Sequence, residues 1–389
     1  MAVTYRVGAQ TSIHSLAANQ MPDIDRMLYL EKPIQSPLFQ FLYFNDKLPA
    51  EQVINENGKF SWFEDKYVPH YTTVSSAVTG GASADNISVA DGTWINEGDV
   101  LWNQNTDDLV YVDSIASSEV DITDLAGSTF STMPVGSYLF KIGSRNHEMA
   151  TARTAVSTKE EEKTNYVEIH SESVTQSGRK QAGENYTNGK TFDDEVRKKI
   201  AEMKEEVERN FWFSSGSGTV TVSTDYRHTY NKGVKGFIST NAVEYNGSIT
   251  EDALDDFLYQ SFAKGGNEKE FIMGGSLLKG VAKLLKAKYQ ETSVVTKYGI
   301  NLQQYQTNFG LANIIWNPNF VGPEADNGYL IDLENLKMRY MSNDKKGSRK
   351  FRIEEGVETP GTDGLTTKLL MDVGIEVPLE SAHGLLYKA

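Results

Sequence analysis

The chain contains no cysteine. That excludes disulfides, thiol nucleophiles and thiolate metal sites. It also lacks any apolar run of the ~20 residues needed to cross a bilayer. The opening MAVTYRVGAQTSIHSLAANQ has no apolar core of the signal-peptide kind, so secretion is not expected. Histidine is scarce. The six, His14, His70, His147, His170, His228 and His383, include no pair at metal-ligand spacing, and HExxH is absent. No G-x-S-x-G elbow is present, so a Ser-His-Asp centre has no sequence support. No D-x-[DN]-x-[DN]-G loop is present either, so the many aspartates read as solvated turns rather than calcium ligands. No catalytic residue, metal ligand or cofactor is assigned, and the chain is read as a non-enzyme.

Positive charge is in deficit. The 389 residues hold 38 Lys and Arg against 53 Asp and Glu, a net charge of -15. That disfavours a dedicated nucleic-acid binder. The charge is unevenly spread. Residues Gly80 to Arg145 carry ten acids against two bases, whereas Lys337 to Arg352 carry seven bases against Asp344 alone. Mean hydropathy is low at -0.45. Even so, 41 residues are Phe, Tyr or Trp, too many for a disordered chain.

One stretch, GENYTNGKTF (Gly183 to Phe192), imitates a phosphate-binding loop. The imitation fails on count. Five residues separate Gly183 from Gly189 where a P-loop has four, and Glu184 sits where the first glycine belongs. The β-like segment before it, NYVEIHSESVTQSG, carries Glu168, His170 and Glu172, unlike the apolar buried strand that precedes a P-loop. YLID (Tyr329 to Asp332) resembles the second nucleotide motif only weakly. A turn leading into a helix cap is the better reading.

Along the chain, residues 1–58 read as an extended arm. Met27, Leu28, Leu30 and QSPLFQFL (Leu38, Phe39, Phe41, Leu42) make it too apolar for a free tail. KFSWFEDKYV and NYVEIHSESVTQSG read as two strands (59–79 and 146–182) that pair as a long hairpin. At its tip sits an acidic insertion, 80–145, with short strands at GDVLW, LVYVDSI, EVDIT and YLFKI, the spacing of a small antiparallel barrel or sandwich. The clearest helix runs from Thr191 to Phe213, about 35 Å at ~1.5 Å per residue. Its apolar stripe is Phe192, Val196, Ile200, Met203, Val207 and Phe211. GVKGFIST reads as a strand, SITEDALDDFLYQSFAKGG and SLLKGVAKLLKAKYQ as helices, and KLLMDVGIEVPLESAHGLLYKA as a final strand pair. The fold class is α+β. The basic run KMRYMSNDKKGSRKFR reads three ways: a solvated loop, a contact to an acidic patch on a neighbouring subunit, or a phosphate contact with Tyr340 and Phe351 stacking on bases.

The ordered set of QSPLFQFL, TNYVEIHSESVTQSGRKQ, VRKKIAEMKEEVERNF, GVKGFISTNA, TEDALDDFLYQSFAKGG and GIEVPLESAHGLLYK resembles the major capsid proteins of tailed bacteriophages with the Hong Kong ninety-seven phage fold. The likeness is nearest to those with a β domain inserted in the E-loop. The resemblance implies an N-arm (1–58), E-loop strands around an inserted domain (80–145), a hinge and spine helix (183–232), an A-domain (mainly 233–330) and C-terminal strands returning to the P-domain (331–389). Gly183 and Gly189 would be the hinge. Phe39, Phe41, Trp62, Phe63, Tyr166 and Ile169 would meet neighbouring subunits, as would Lys345, Lys346, Arg349, Lys350 and Arg352. The implied function is a structural shell of hexamers and pentamers around double-stranded DNA, contacted without sequence preference. The implied partners are the chain itself, portal and scaffolding proteins, and decoration or head-completion proteins. The implied places are the virion and, during assembly, the host cytoplasm; no membrane is involved. A decoration or tail protein using the β domain to bind is the second reading, and a P-loop-like hydrolase the third.

Overall fold

The structure is a computed structural model. It describes residues 35–44, 50–82, 84–125, 129–146, 148–149, 152–183, 191–223, 226–287, 293–297 and 300–389. The arm residues Met27, Leu28 and Leu30, and Gly189, lie outside the described residues.

The chain begins with helix α1 (Pro37–Tyr43) and strands β1 (Glu51–Val53) and β2 (Lys59–Glu64). Six strands follow: β3 (Tyr71–Thr73), β4 (Ala84–Ser88), β5 (Asp99–Asn103), β6 (Leu109–Ala116), β7 (Glu119–Asp124) and β8 (Tyr138–Ser144). Next come β9 (Glu161–Tyr166), β10 (Glu168–Ser177), α2 (Gly178–Ala182), α3 (Thr191–Phe213), β11 (Gly218–Thr221), β12 (Arg227–Tyr230) and α4 (Val234–Phe237). Then β13 (Ala242–Tyr245), α5 (Glu251–Phe262), β14 (Glu268–Met273), α6 (Gly275–Ala287), β15 (Ser293–Lys297), β16 (Ile300–Gln306) and β17 (Leu311–Trp316). The last strands are β18 (Gly328–Ile331), β19 (Lys337–Met341), β20 (Arg352–Glu355), β21 (Gly364–Glu376) and β22 (Gly384–Lys388).

These elements form two units, Phe63–Lys163 and the rest of the chain, with the borders falling inside β2 and β9, which pair with each other. In the Phe63–Lys163 unit one antiparallel sheet runs in the order β3-β8-β5-β6-β7-β4. Alternation is clean in β7 but is broken in β5, where the register shifts between Val100 and Leu101 and both are buried. In β7, Val120 and Ile122 turn into the core while Glu119 and Thr123 turn out. The core includes Val74, Ile87, Trp94, Leu101, Val112, Phe130 and Leu139. A buried charge, Asp99, is held by Lys141 at 2.6 Å and Arg153 at 2.5 Å, as a buried carboxylate must be. The unit is wider than the 80–145 read from the sequence. β3 pairs with β8, Val74 and Val78 lie in the core, and Arg153 closes on Asp99. β4 has a single large apolar residue, Ile87, so alternation could not announce it.

The other unit holds two main sheets. One has the order β1-β19-β21-β10, with β20 also on β21. The seven-stranded second sheet runs β13-β22-β18-β14-β17-β16-β15. Helices α5 and α6 cover the second sheet, placing Leu254, Phe257, Leu258, Leu277 and Val281 against Phe271, Ile314 and Leu386. Thr250 caps α5 by accepting the Ala253 N–H at 3.3 Å, which satisfies an otherwise orphaned donor. Helices α1 and α3 share a core with the first sheet, where Met203, Val207, Phe211 and Trp212 meet Leu38, Phe41, Met371 and Val373. Burying each such side chain stabilises the fold by roughly 1.5–3 kcal/mol.

Three sequence expectations are corrected. The segment 165–178 is not one strand of a hairpin with 59–68. It breaks at Val167, whose N–H donates to Gly58 O. β9 pairs with β2, whereas β10 pairs over ten positions with β21, from Glu168 opposite Val373 to Ser177 opposite Gly364. Gly374 is needed there, because a Cβ would stand 2.6 Å from Tyr166 O. GVKGFIST is not a strand: Val234–Phe237 makes a helical turn closed by the Ile238 N–H on Val234 O. The closing β21 and β22 do not pair with each other but join different sheets.

Candidate assembly surfaces

α3 spans Thr191–Phe213, as the apolar spacing indicated. Its stripe is graded. Met203, Val207 and Phe211 are fully buried, whereas Phe192, Val196 and Ile200 are half-buried. Near the C-terminal end the buried arc widens to include Trp212 and Glu208. Trp212 packs edge-on against Phe320 at 5.0 Å.

Glu208 is the most unusual group on this helix. It is completely buried. One carboxylate oxygen accepts the Trp212 indole N–H and the Asn317 amide, each at 2.8 Å, and the Leu38 N–H at 3.3 Å. The other accepts the Phe39 N–H at 2.6 Å. Burial raises its pKa to about 7 despite these donors. The free N–H groups at the start of α1 are thereby satisfied by a carboxylate, which also suits the helix dipole. Sequence reading missed Glu208, Trp212 and Asn317. The signal was a glutamate with Phe211 and Trp212 three and four residues on.

The contact residues named from the resemblance separate into two groups. Phe39, Phe41 and Trp62 are buried within their own subunit, the first two beneath α3 and Trp62 against Phe60 and Phe237. They are corrected from surface to core. Phe63 is 68% exposed and Ile169 56%, while Tyr166 is half-buried. Lys345 and Lys346 are exposed. The rest of the basic loop is internally engaged. Arg349 pairs with the buried Asp372 at 2.9 Å and with Asp344 at 3.2 Å. Arg352 reaches Asp344 at 2.7 Å and Glu354 at 2.8 Å. The Arg352 hydrogen bond, with help from the Lys346 N–H, holds the Asp344 carboxyl down at about 2. Lys350 lies over the Tyr43 ring at 3.9 Å, and its burial lowers its pKa. Lys346 also lies 3.5 Å from Glu354, so the outward face of the basic run is Lys345 together with a loosely paired Lys346.

The hinge expectation finds Gly183 exposed at the end of α2, with φ -81, a conformation any residue adopts. The loop 184–190, including the phosphate-loop imitation and Lys190, lies outside the described residues. Asp332 at the end of YLID accepts the Gly266 N–H at 2.9 Å and the Glu334 N–H at 3.1 Å. Nearby Lys269 is buried and donates to Ser261 O, Lys264 O and Ala382 O at 2.5–2.6 Å; burial lowers its pKa to about 8. Buried His383 accepts the Asp332 N–H at 3.2 Å, and burial lowers its pKa to about 4. Every partner in this cluster is structural. Among the described residues no group of three or more His, Cys, Asp or Glu is placed to hold a metal, and no helix is long and apolar enough to cross a membrane.

A family model described as SU10 major capsid protein matches residues 5–389. No curated protein matches the chain. Among solved structures, the capsid of a native GTA particle is 12% identical, with 97% of this chain and 98% of that one covered at a TM-score of 0.49. A Gordonia phage Cozz chain is 12% identical, covering 96% and 92% at 0.48. The SrpI encapsulin of Synechococcus elongatus PCC 7942 is 13% identical, covering 59% and 77% at 0.45. These structural likenesses are too distant to add to the family match.

Proposed function

Because the chain belongs to the SU10 major capsid protein family, it is a structural, non-enzymatic shell protein of a bacteriophage capsid, and we propose that it closes into an icosahedral head of hexamers and pentamers around double-stranded DNA. The family match over residues 5–389 carries this reading. The exposed apolar side chains support it. Phe63, Tyr67 and Ile169 stand in solvent on a polar, net-negative chain, and such residues are expected to be covered by neighbouring copies on assembly.

In this proposal α3 is the spine, and the β2 and β9 region belongs to the E-loop that carries Phe63–Lys163. Residues 183–190 form the hinge, whereas of the 1–58 span read as an arm, α1 and β1 are built into the core and first sheet of their own subunit. Phe63, Tyr166, Ile169, Lys345 and Lys346 are the contact residues kept from the sequence reading. Arg349, Lys350 and Arg352 instead stiffen the loop that presents the two lysines. Portal and scaffolding proteins, and decoration or head-completion proteins, are the proposed partners. Assembly takes place in the host cytoplasm before the protein resides in the virion.

The test is electron microscopy of the chain expressed alone and with a candidate scaffold. Closed shells or capsomers are expected. A monodisperse monomer at high concentration with scaffold present would contradict the proposal.

A further inference from the structure

The Phe63–Lys163 unit leaves the outer side of one sheet region open. Tyr71, Phe140 and Trp102 stand in register across β3, β8 and β5. Tyr138 lies two residues from Phe140 on β8 and so shares its face. Leu139, between them, points into the core. Phe140 is the hub of five rings. The ring centroids of His70, Tyr71, Trp102 and Tyr138 lie 6.5, 5.5, 5.9 and 6.3 Å from it, with planes inclined to it by 36°, 39°, 41° and 29°. None meets Phe140 edge-on. The rings are tilted to one another rather than coplanar, His70 meeting Tyr71 edge-on at 74° and Tyr71 inclined to Tyr138 by 55°, so together they make an uneven aromatic patch centred on Phe140.

The patch is open and pre-set. Tyr71 is 46% exposed and Tyr138 44%, and His70 is exposed too. The Trp102 indole N–H donates to Asp107 Oδ1 at 2.8 Å, so its ring orientation is fixed before any ligand arrives, which lowers the cost of binding. The Gln104 N–H donates to Tyr138 O at 3.1 Å, placing Gln104 at the rim. The hydroxyls of Tyr71 and Tyr138 and the Gln104 side-chain amide have no hydrogen-bond partner among the described residues.

We propose that this face binds a neutral oligosaccharide. The C–H groups of a pyranose face carry slight positive charge and lie flat on the electron-rich face of an aromatic ring. The free tyrosine hydroxyls and the amide meet the sugar hydroxyls. Net charge selects among ligands that stack on rings. The unit carries sixteen acidic side chains against six basic ones, a net -10. That repels nucleic-acid phosphates, anionic lipid headgroups and acidic sugars alike. A neutral glycan offers the stacking surface and the hydroxyls without that repulsion. The site does not depend on the shell-building role.

The test is calorimetric titration of the full chain, assembled as it assembles, with cellohexaose, maltohexaose and N-acetylchitohexaose. Saturable binding of at least one is expected, weakened roughly tenfold or more by Tyr138→Ser or Trp102→Ala. Tyr67→Ser, fully exposed and outside the patch, should leave binding unchanged. Tyr138 is half exposed, so its substitution keeps the test usable if Trp102→Ala unfolds the unit. Absence of binding to all three sugars overturns the proposal, as does binding indifferent to Tyr138→Ser. Loss of Tyr71 and Tyr138 reactivity toward a tyrosine-directed reagent on assembly also overturns it, because a second copy would then cover the face.

Discussion

The Glu208 carboxylate accepts the backbone N–H of Phe39 at 2.6 Å across 169 residues of sequence. This bond anchors α1 to α3 inside the core. Asn319 adds a second tie just ahead of α1, donating its side-chain amide to Gln35 O at 3.1 Å.

Glu208→Ala should strand four buried donors, from Leu38, Phe39, Trp212 and Asn317. The expected loss is on the order of 3 kcal/mol, since each unmet buried donor costs about 1–3 kcal/mol and water fills part of the gap. Glu208→Gln keeps an acceptor oxygen and should lose about half as much. Urea unfolding measures both. Hydrogen exchange over Pro37–Tyr43 should rise in the alanine variant before global unfolding.

The pH dependence has a defined sign. Burial raises Glu208 from 4.5 to about 7 in the folded state. Its contribution to stability is therefore fully present below pH 4.5 and is lost as pH rises through about 7. His383 runs the other way. Its folded pKa falls from 6.5 to about 4, so its contribution is present above pH 6.5 and lost as pH falls through about 4. The two oppose each other in the shared window. Wild-type stability minus that of Glu208→Gln, measured from pH 4 to 8, should fall with rising pH, and a flat difference would show that Glu208 does not titrate there.

The α3 stripe should respond in a gradient. Phe211→Ala should cost about 3–5 kcal/mol and Met203→Ala about 2–5 kcal/mol, as buried large-to-small changes do. Val196→Ala and Ile200→Ala, at half-buried positions, should cost distinctly less in the isolated chain. Chemical denaturation of the four variants checks the order. If the Val196 and Ile200 variants also lower assembly yield, the exposed half of the stripe is an inter-subunit surface.

The basic loop should split into folding and assembly functions. Arg349→Ala strips the partner from buried Asp372 and should destabilise the fold, because an unpaired buried carboxylate is costly. Lys345→Ala with Lys346→Ala should leave unfolding unchanged within about 0.5 kcal/mol and should slow assembly at low salt. Light scattering during assembly, compared with urea unfolding, separates the two effects.

How much was legible in the sequence depended on whether a pattern was local. α3 and α5 announced themselves by apolar residues three and four apart, because one face of each helix is buried and the other solvated. β5 to β8 were legible as short β-rich runs set apart by turn residues. The partner of β10 was not: β21 lies nearly two hundred residues later, and alternation states which face is buried but not against which strand. Phe39 and Phe41 looked like contacts with another subunit because apolarity requires burial without saying where. Glu208 was invisible among the charged residues of α3, since a glutamate in such a helix normally faces water. Only the later approach of α1 and Asn317 makes it a core residue.

The measurement that bears most directly on the central claim is cryo-electron microscopy of particles formed by the chain alone or with a candidate scaffold. The expected result is a closed shell whose subunits show α3 as an internal spine and cover Phe63 and Ile169 with neighbouring copies. A chain that stays monomeric under those conditions, or a shell in which those two side chains remain in solvent, would contradict it.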